Sequence, residues 1–303
     1  MYPHNQIIHK LVSSNLKVKM EINTLKGIET KDILNVFNES FSDYFIPFHL
    51  TEEQLASKML ADKVHLNVSV GVFENGKLIA FIIHGLDKID GKKIVYNGGT
   101  GVIPKKRGSG LTKQMYHFIL PILKEKGIHK LFLEVISENI QAIKSYEKSQ
   151  FKIERELVCY KGEISIPSTN SNIKIKRLQE YNWDVMESFW DISPTWQNSK
   201  NVVNELRNNH ISLGAYSQNQ LVGYVIYNPK NKRLLQIAVD KKCRRNRIAS
   251  TLISKLIEEY GSTLSIINVD KNSKPIHTFL KKIRLEKNLE QLEMKLQLDE
   301  NHI

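Results

Sequence analysis

Residues 102–112 read Val102-Ile103-Pro104-Lys105-Lys106-Arg107-Gly108-Ser109-Gly110-Leu111-Thr112, and the fold turns on what this stretch does. It leaves an apolar strand-like run at 92–102, turns through two glycines and enters a helical spacing at Met115, Phe118 and Ile119. A strand is thus delivered onto a helix N-terminus, where backbone N–H groups lack partners and the helix dipole is positive. The glycines let a ligand approach the backbone, so the turn suits a phosphate. Spacing excludes two commoner phosphate loops. Leu111-Thr112 follows Gly110 where a P-loop needs Lys-Ser/Thr, and Lys113 stands where a dinucleotide fingerprint needs its third glycine.

A second pattern follows. Gly127 is a plausible helix C-cap, Leu131-Phe132-Leu133-Glu134-Val135 alternates as a strand, and Asn139, Ala142, Tyr146 and Phe151 come next. Taken together, the two stretches resemble the GNAT superfamily of N-acyltransferases. Arg107, Gly108, Ser109, Gly110 and Leu111 match its acetyl-CoA loop, and Asn139, Ala142, Tyr146 and Phe151 its second signature. Thr112 departs from the small final residue of the loop, and Gln150 stands where the family has glycine, at a turn that disfavours a side chain. The resemblance implies that pantetheine lies as an extra strand between 92–102 and 131–135. Backbone near Val102, Ile103 and Pro104 would hold it, residues 107–112 would cradle the pyrophosphate, and Asn139 would contact the cofactor. Tyr146 would be the acid or hydrogen-bond donor to the departing sulfur. Glu134 is a candidate general base, His84 another, and water a third. No metal is expected.

The chain has 303 residues, 41% hydrophobic and 25% charged, which suggests two soluble domains. No apolar run is long enough for a membrane span and 1–19 has no signal core, so a cytoplasmic protein without a membrane partner is expected. Cys159 and Cys243 are far apart and read as packing residues of a reducing compartment. The net charge of +12 suits CoA phosphates, an acidic substrate or nucleic acid. The absence of interleaved aromatics in the Lys241–Arg247 run argues against nucleic acid.

In order, 1–19 reads as a loose extension, 20–162 as the N-terminal GNAT domain, 163–172 as a linker and 173–303 as a C-terminal GNAT-like domain. Each is expected to be a mixed, mostly antiparallel α/β (α+β) sheet flanked by helices. Asn75-Gly76 marks a hairpin. Pro47 separates two early helices, and Pro121 is expected to kink or end the helix near Leu120. After Phe151 a strand pair should end near Tyr160. The second half repeats the first: Gly71 and Leu78 are spaced as Gly214 and Leu221, and Val102 and Arg107 as Val239 and Arg244. Arg247 takes the place of a loop glycine. The tyrosine position holds Phe279 if counted from Asn272 or Leu280 if counted from Leu285, and neither has a hydroxyl. The second domain is therefore expected to be degenerate, although its arginine-rich loop could still hold CoA by charge. The expected activity is acetyl transfer from acetyl-CoA to a small-molecule or peptide amine by direct attack. The alternative is a CoA-sensing or basic RNA-binding module. Phe41, Tyr44, Phe45, Phe48 and His49 mark the acceptor side but spell no particular amine, and nothing in the chain sets an oligomeric state.

Overall fold

The computed structural model describes residues 6–9, 19–44, 49–166 and 168–298. Most of the expected leader, with Phe45, Pro47 and Phe48, lies outside them. Contacts divide the chain into two compact units. Unit 1 gathers Met1–Val135, Asn139–Glu154 and Glu293–Ile303, and unit 2 gathers Ile136–Glu138 and Arg155–Leu292.

In chain order, unit 1 has β1 (Gln6–His9), β2 (Lys19–Thr24), α1 (Thr30–Ser40), α2 (Glu52–Ala61), β3 (Val70–Glu74), β4 (Lys77–Ile89) and β5 (Lys92–Val102). Then come α3 (Leu111–Glu125), β6 (Ile128–Ile136) and α4 (Ile140–Glu147). The strands β1 to β5 pair antiparallel in sequence order, and β6 joins β5 in parallel. Alternation gives β4 two buried faces: Phe81 and Ile83 pack with Phe37 of α1, while His84 lies 6.3 Å from the ring of Tyr116 on α3. The Thr51 side chain and Gln54 form a capping box that starts α2. Asn75 and Gly76 turn β3 into β4 with φ of 51° and 80°.

Pro121 neither ends nor breaks α3, which runs to Glu125. The ring sits on the exposed face, and His117, whose carbonyl loses its helical donor, is exposed too, so water can replace the missing bond.

Unit 2 contains β7 (Lys152–Glu163) from Arg155 on, β8 (Lys174–Arg177), α5 (Trp183–Ser188), α6 (Lys200–Glu205), β9 (Ile211–Ser217), β10 (Gln220–Asn228) and β11 (Arg233–Val239). The chain continues through α7 (Ile248–Tyr260), β12 (Thr263–Asp270), α8 (Lys274–Lys282) and β13 (Glu286–Gln297). β7 is one continuous strand where a pair was expected, and it pairs antiparallel with β12. The sheet order β7-β12-β11-β10-β9-β8 places the parallel pair β11–β12 where unit 1 has β5–β6. The repeat extends to single contacts. A Cβ on Gly71 would meet Leu78 Cδ1 at 2.5 Å, and one on Gly214 would meet Leu221 Cδ1 at 2.9 Å, so in both strands the end of the corresponding leucine packs over the glycine.

The strand β13 divides its length: Glu286–Leu292 belongs to unit 2, and Glu293–Gln297 belongs to unit 1, where β13 is the neighbour of β6. Met294, Leu296 and Leu298 are buried, and the amide of Leu298 donates to the carbonyl of His129 at 2.8 Å.

Candidate active site

The geometry begins with a bulge. β4 and β5 pair Ile83 with Gly99 and His84 with Asn97, so Gly98 is the extra residue. A bulge bends its strand, and parallel pairing of β5 with β6 stops there, at Asn97 and Leu133, while both strands run on. The strands splay as the resemblance implied. Asn97 staples the bulge: its Oδ1 accepts from the Gly99 amide at 2.9 Å, and its Nδ2 donates to Thr100 Oγ1 at 2.8 Å and to the Tyr116 hydroxyl at 2.7 Å.

At the end of β5, Pro104–Lys106 makes one 3-10 turn, and the chain passes Gly108 (φ 74°) and Gly110 (φ 77°) into α3. The first amide bonded along the helix is that of Gln114, to Gly110 O at 3.1 Å, so the N–H groups of Leu111, Thr112 and Lys113 face out of the helix start. A Cβ on Gly108 would meet nothing within 4 Å, and one on Gly110 only Gln114 Nε2 at 4.0 Å. This open cradle of amides fits a pyrophosphate. The Arg107 side chain is committed elsewhere. It donates to Val102 O at 3.3 Å, to Ser40 O at 2.8 Å and, through both terminal nitrogens, to Asp43 at 2.8 and 2.6 Å. Its guanidinium, by hydrogen bonding, holds the Asp43 carboxyl below its ordinary range. Arg107 therefore ties the loop to the end of α1, and with it the neighbouring Tyr44.

Tyr44 is the residue whose place in the site no motif announced. Its hydroxyl accepts from Asn139 Nδ2 at 3.3 Å, while Asn139 Oδ1 caps α4 by accepting from Ala142 N at 3.1 Å. Tyr146, on α4, is buried beside Tyr116 and Phe151. Desolvation pushes its hydroxyl up to about 12, against hydrogen bonding with Thr100 that pulls it down. Gln150 adopts φ 73° at the expected glycine turn, so the side chain is accommodated in the left-handed region.

Glu134 is half-buried on the other face. Tyr96 and Asn97 point opposite ways along β5, and the Tyr96 hydroxyl donates to Glu134 Oε2 at 2.5 Å. Desolvation raises the Glu134 carboxyl to about 8, with Glu293 and Asp62 adding to the rise and Tyr96 opposing it. His84 is enclosed: desolvation lowers it to about 4, and Nδ1 lies 2.7 Å from Val68 O. Its ring lies 6.3 Å from that of Tyr116.

In unit 2 the same parts recur with other side chains. Leu235 is the bulged residue, β11 and β12 share one parallel pair at Arg233 and Ser265 before parting, and Arg244 repeats the bonds of Arg107 to Val239 O, Phe189 O and Asp191. Arg245 (φ 66°) and Arg247 (φ 60°) hold the left-handed positions of the two glycines. Among the described residues, no cluster of metal-ligating side chains occurs, and no helix is long and apolar enough to cross a membrane.

The sequence profile of the Acetyltransferase (GNAT) family matches residues 31–151 and again 175–283. No curated protein matches the sequence. Among solved structures, the chain resembles a GCN5-related N-acetyltransferase from Sphaerobacter thermophilus at 11% identity and TM-score 0.70, covering 92% of this chain and 96% of that one. A putative acetyltransferase from Pyrococcus horikoshii aligns at 15% identity and TM-score 0.66, over 92% and 89% of the two chains. A tandem GNAT protein of the clavulanic acid biosynthesis pathway aligns at 10% identity and TM-score 0.67, over 93% and 100%. With the family profile covering most of its length in two copies, the chain belongs to the GNAT family of acetyltransferases, as a tandem of two GNAT repeats.

Proposed function

We propose that the protein transfers an acetyl group from acetyl-CoA to a small-molecule or peptide amine in a ternary complex, with the chemistry in the N-terminal half. The observation that carries this reading is the buried Tyr146 hydroxyl beside Thr100, at the splayed end of a strand that leads into a glycine loop with free amides. The amides of 108–112 bind the pyrophosphate. The pantetheine arm lies along the edge of β5 near Val102, past the last pair with β6; Ile103 and Pro104 contribute shape rather than hydrogen bonds, since Ile103 is bonded to Ile79 O and Lys106 N and the Pro104 carbonyl to Arg107 N. Asn139 and Tyr44 bound the cofactor on the α4 side. The arginine of the loop serves by fixing Tyr44 and not by touching phosphate.

The neutral amine attacks the thioester carbon, the new C–N bond forms, the C–S bond breaks, and the amine's proton must leave. Glu134, titrating near 8, takes that proton once ionised, from the face opposite α3; water is the fallback base. Tyr146 stays protonated at all working pH. With a hydroxyl near 12 against a thiol near about 8.5, it stabilises the departing thiolate by donating a hydrogen bond rather than by giving up its proton. The C-terminal half has Leu280 at that place and no donor. The two free cysteines suit a reducing, cytoplasmic setting. An acceptor screen over polyamines, amino acids, aminoglycosides and N-terminal peptides, read by free CoA, tests the reading. CoA release with none of them, from protein shown to bind acetyl-CoA, would refute it.

A further inference from the structure

Unit 2 builds the same strand bulge as unit 1 with none of its polar side chains. The bulge falls at Leu235 in place of Gly98, and Leu234 and Ile237 stand where unit 1 has Asn97 and Thr100, counted back from the caps Arg247 and Gly110. Counted forward, Ile253 stands for Tyr116 and, through the matching turn at the end of the helix, Leu280 for Tyr146. The bulge therefore forms without an amide to staple it. Four polar side chains of unit 1 are replaced together by aliphatic ones in the repeat that lacks the Tyr146 hydroxyl. Asn97 is 5% exposed and Tyr116 1%, and burying such groups carries a desolvation cost that aliphatic residues avoid. Neither packing nor the bulge calls for them, so their joint presence points to a task shared with Tyr146.

Hydrogen-bond polarity gives that task a direction. The Gly99 N–H can only donate, so the Asn97 atom that it meets at 2.9 Å is the oxygen, and the amide has one orientation. Both hydrogens of Asn97 Nδ2 are then committed, to Thr100 Oγ1 at 2.8 Å and to the Tyr116 hydroxyl at 2.7 Å. Each of these oxygens accepts from Asn97 and keeps its own hydrogen to donate. Tyr146 hydrogen-bonds with Thr100, and its ring is set edge to face against Tyr116 and Phe151, with centroids at 6.4 and 5.9 Å. A phenol O–H lies in the plane of its ring, in one of two directions. With Thr100 donating from one side, the hydrogen of Tyr146 is left on the other. We infer that Thr100, oriented by Asn97, is a positioning residue that aims the Tyr146 hydrogen out of the buried network and toward the departing sulfur. The inference rests on the reading of Tyr146 as donor to that sulfur, and adds the residues that hold it in the donating direction.

The test is a double-mutant cycle on the full chain, in steady-state kinetics with acetyl-CoA and the screened amine that is turned over fastest, read by free CoA. Thr100→Val keeps the shape and removes the hydroxyl. It should lower kcat roughly tenfold, the scale of one lost hydrogen bond, with the KM for acetyl-CoA unchanged, and Thr100→Ser should restore most of the rate. In the Tyr146→Phe background the same change should lower kcat no further, because a residue that acts only through another is not additive with it. Thr100→Ala completes the cycle if valine crowds Asn97 and unfolds the chain, which thermal unfolding reports. A Thr100→Val chain as fast as the parent, or faster, overturns the inference, since Tyr146 would then be giving its hydrogen to Thr100. Losses that multiply in the double variant overturn it too, and leave Thr100 a structural residue. Failure of the acetyl-transfer reading looks different: the unmodified chain would release no CoA, or Tyr146→Phe alone would leave kcat unimpaired, and either takes the inference with it.

Discussion

Leu280 stands in the second repeat where Tyr146 stands in the first. The amide of Leu285 donates to Leu280 O at 3.0 Å as that of Phe151 donates to Tyr146 O at 3.1 Å, and Arg284 (φ 64°) and Gln150 (φ 73°) make the same left-handed turn. A phenol thus faces an isobutyl group at two otherwise matching helix ends.

Removing that hydroxyl from the first repeat is the most direct check. Tyr146→Phe should lower kcat by roughly 10²-fold, the scale of a lost donor to developing charge, with acetyl-CoA affinity unchanged because the proposed phosphate cradle at 108–112 is untouched. Since the hydroxyl titrates near 12, the unmodified enzyme should show no alkaline fall in rate from this group below about pH 11. Steady-state kinetics with calorimetry separates the two effects, and an unimpaired kcat would remove Tyr146 from the mechanism.

Gly110→Arg copies the residue that unit 2 accepts at the matching cap. The backbone should tolerate it at about 1–2 kcal/mol, the cost of a left-handed side chain, so the fold survives while the phosphate cradle is blocked. Acetyl-CoA binding to the first half should fall below detection in calorimetry. Unchanged affinity would displace the cofactor from this loop.

Glu134 predicts a pH dependence of stability with a definite sign. Its carboxyl is raised from 4.5 to about 8 on folding, so between those values the folded chain holds a proton that the unfolded chain has lost. Its contribution is complete below pH 4.5 and disappears as pH rises through 8. Glu134→Gln should remove a decline on the order of a few kcal/mol from denaturant midpoints followed over this window. If Glu134 is also the base, the variant should lose the rise in kcat/KM that leads to pH 8. A pH profile identical to the unmodified enzyme's would leave the proton to water.

Met294 is fully buried in unit 1 although it lies near the end of the chain. Met294→Ala should cost about 2–5 kcal/mol, and the loss should appear in unit 1, as a reduced denaturant midpoint. A variant as stable as the parent would show that the tail of β13 contributes little there.

Local chemistry made much of this legible in sequence. A strand meeting a helix through Gly108 and Gly110, a hairpin at Asn75-Gly76 and an Asn139 cap each need only a few adjacent residues. The repeat was legible because both copies keep the same spacings. What stayed hidden depends on partners distant along the chain. The bonds of Arg107 to Asp43 and Ser40 O join residues more than sixty positions apart, which no local pattern announces. Asn272 seemed to match Asn139, but Ser273 takes the cap position of α8, with φ and ψ of −81° and 81° against −82° and 68°, which settles the register on Leu280. Pro121 did not end its helix, because its ring and the carbonyl it leaves without a donor both lie on the exposed face.

The division of β13 between the units bears on how the protein is made. The neighbour of β6 in unit 1 is supplied by Glu293–Gln297, so during synthesis the first repeat emerges from the ribosome with one edge of its sheet unpaired. It stays so until almost the whole second repeat has been translated, on the order of ten seconds or more at about 5–20 residues per second. An open strand edge invites pairing with other chains, so the nascent first repeat is the stage at which this protein is exposed to aggregation and to chaperone capture.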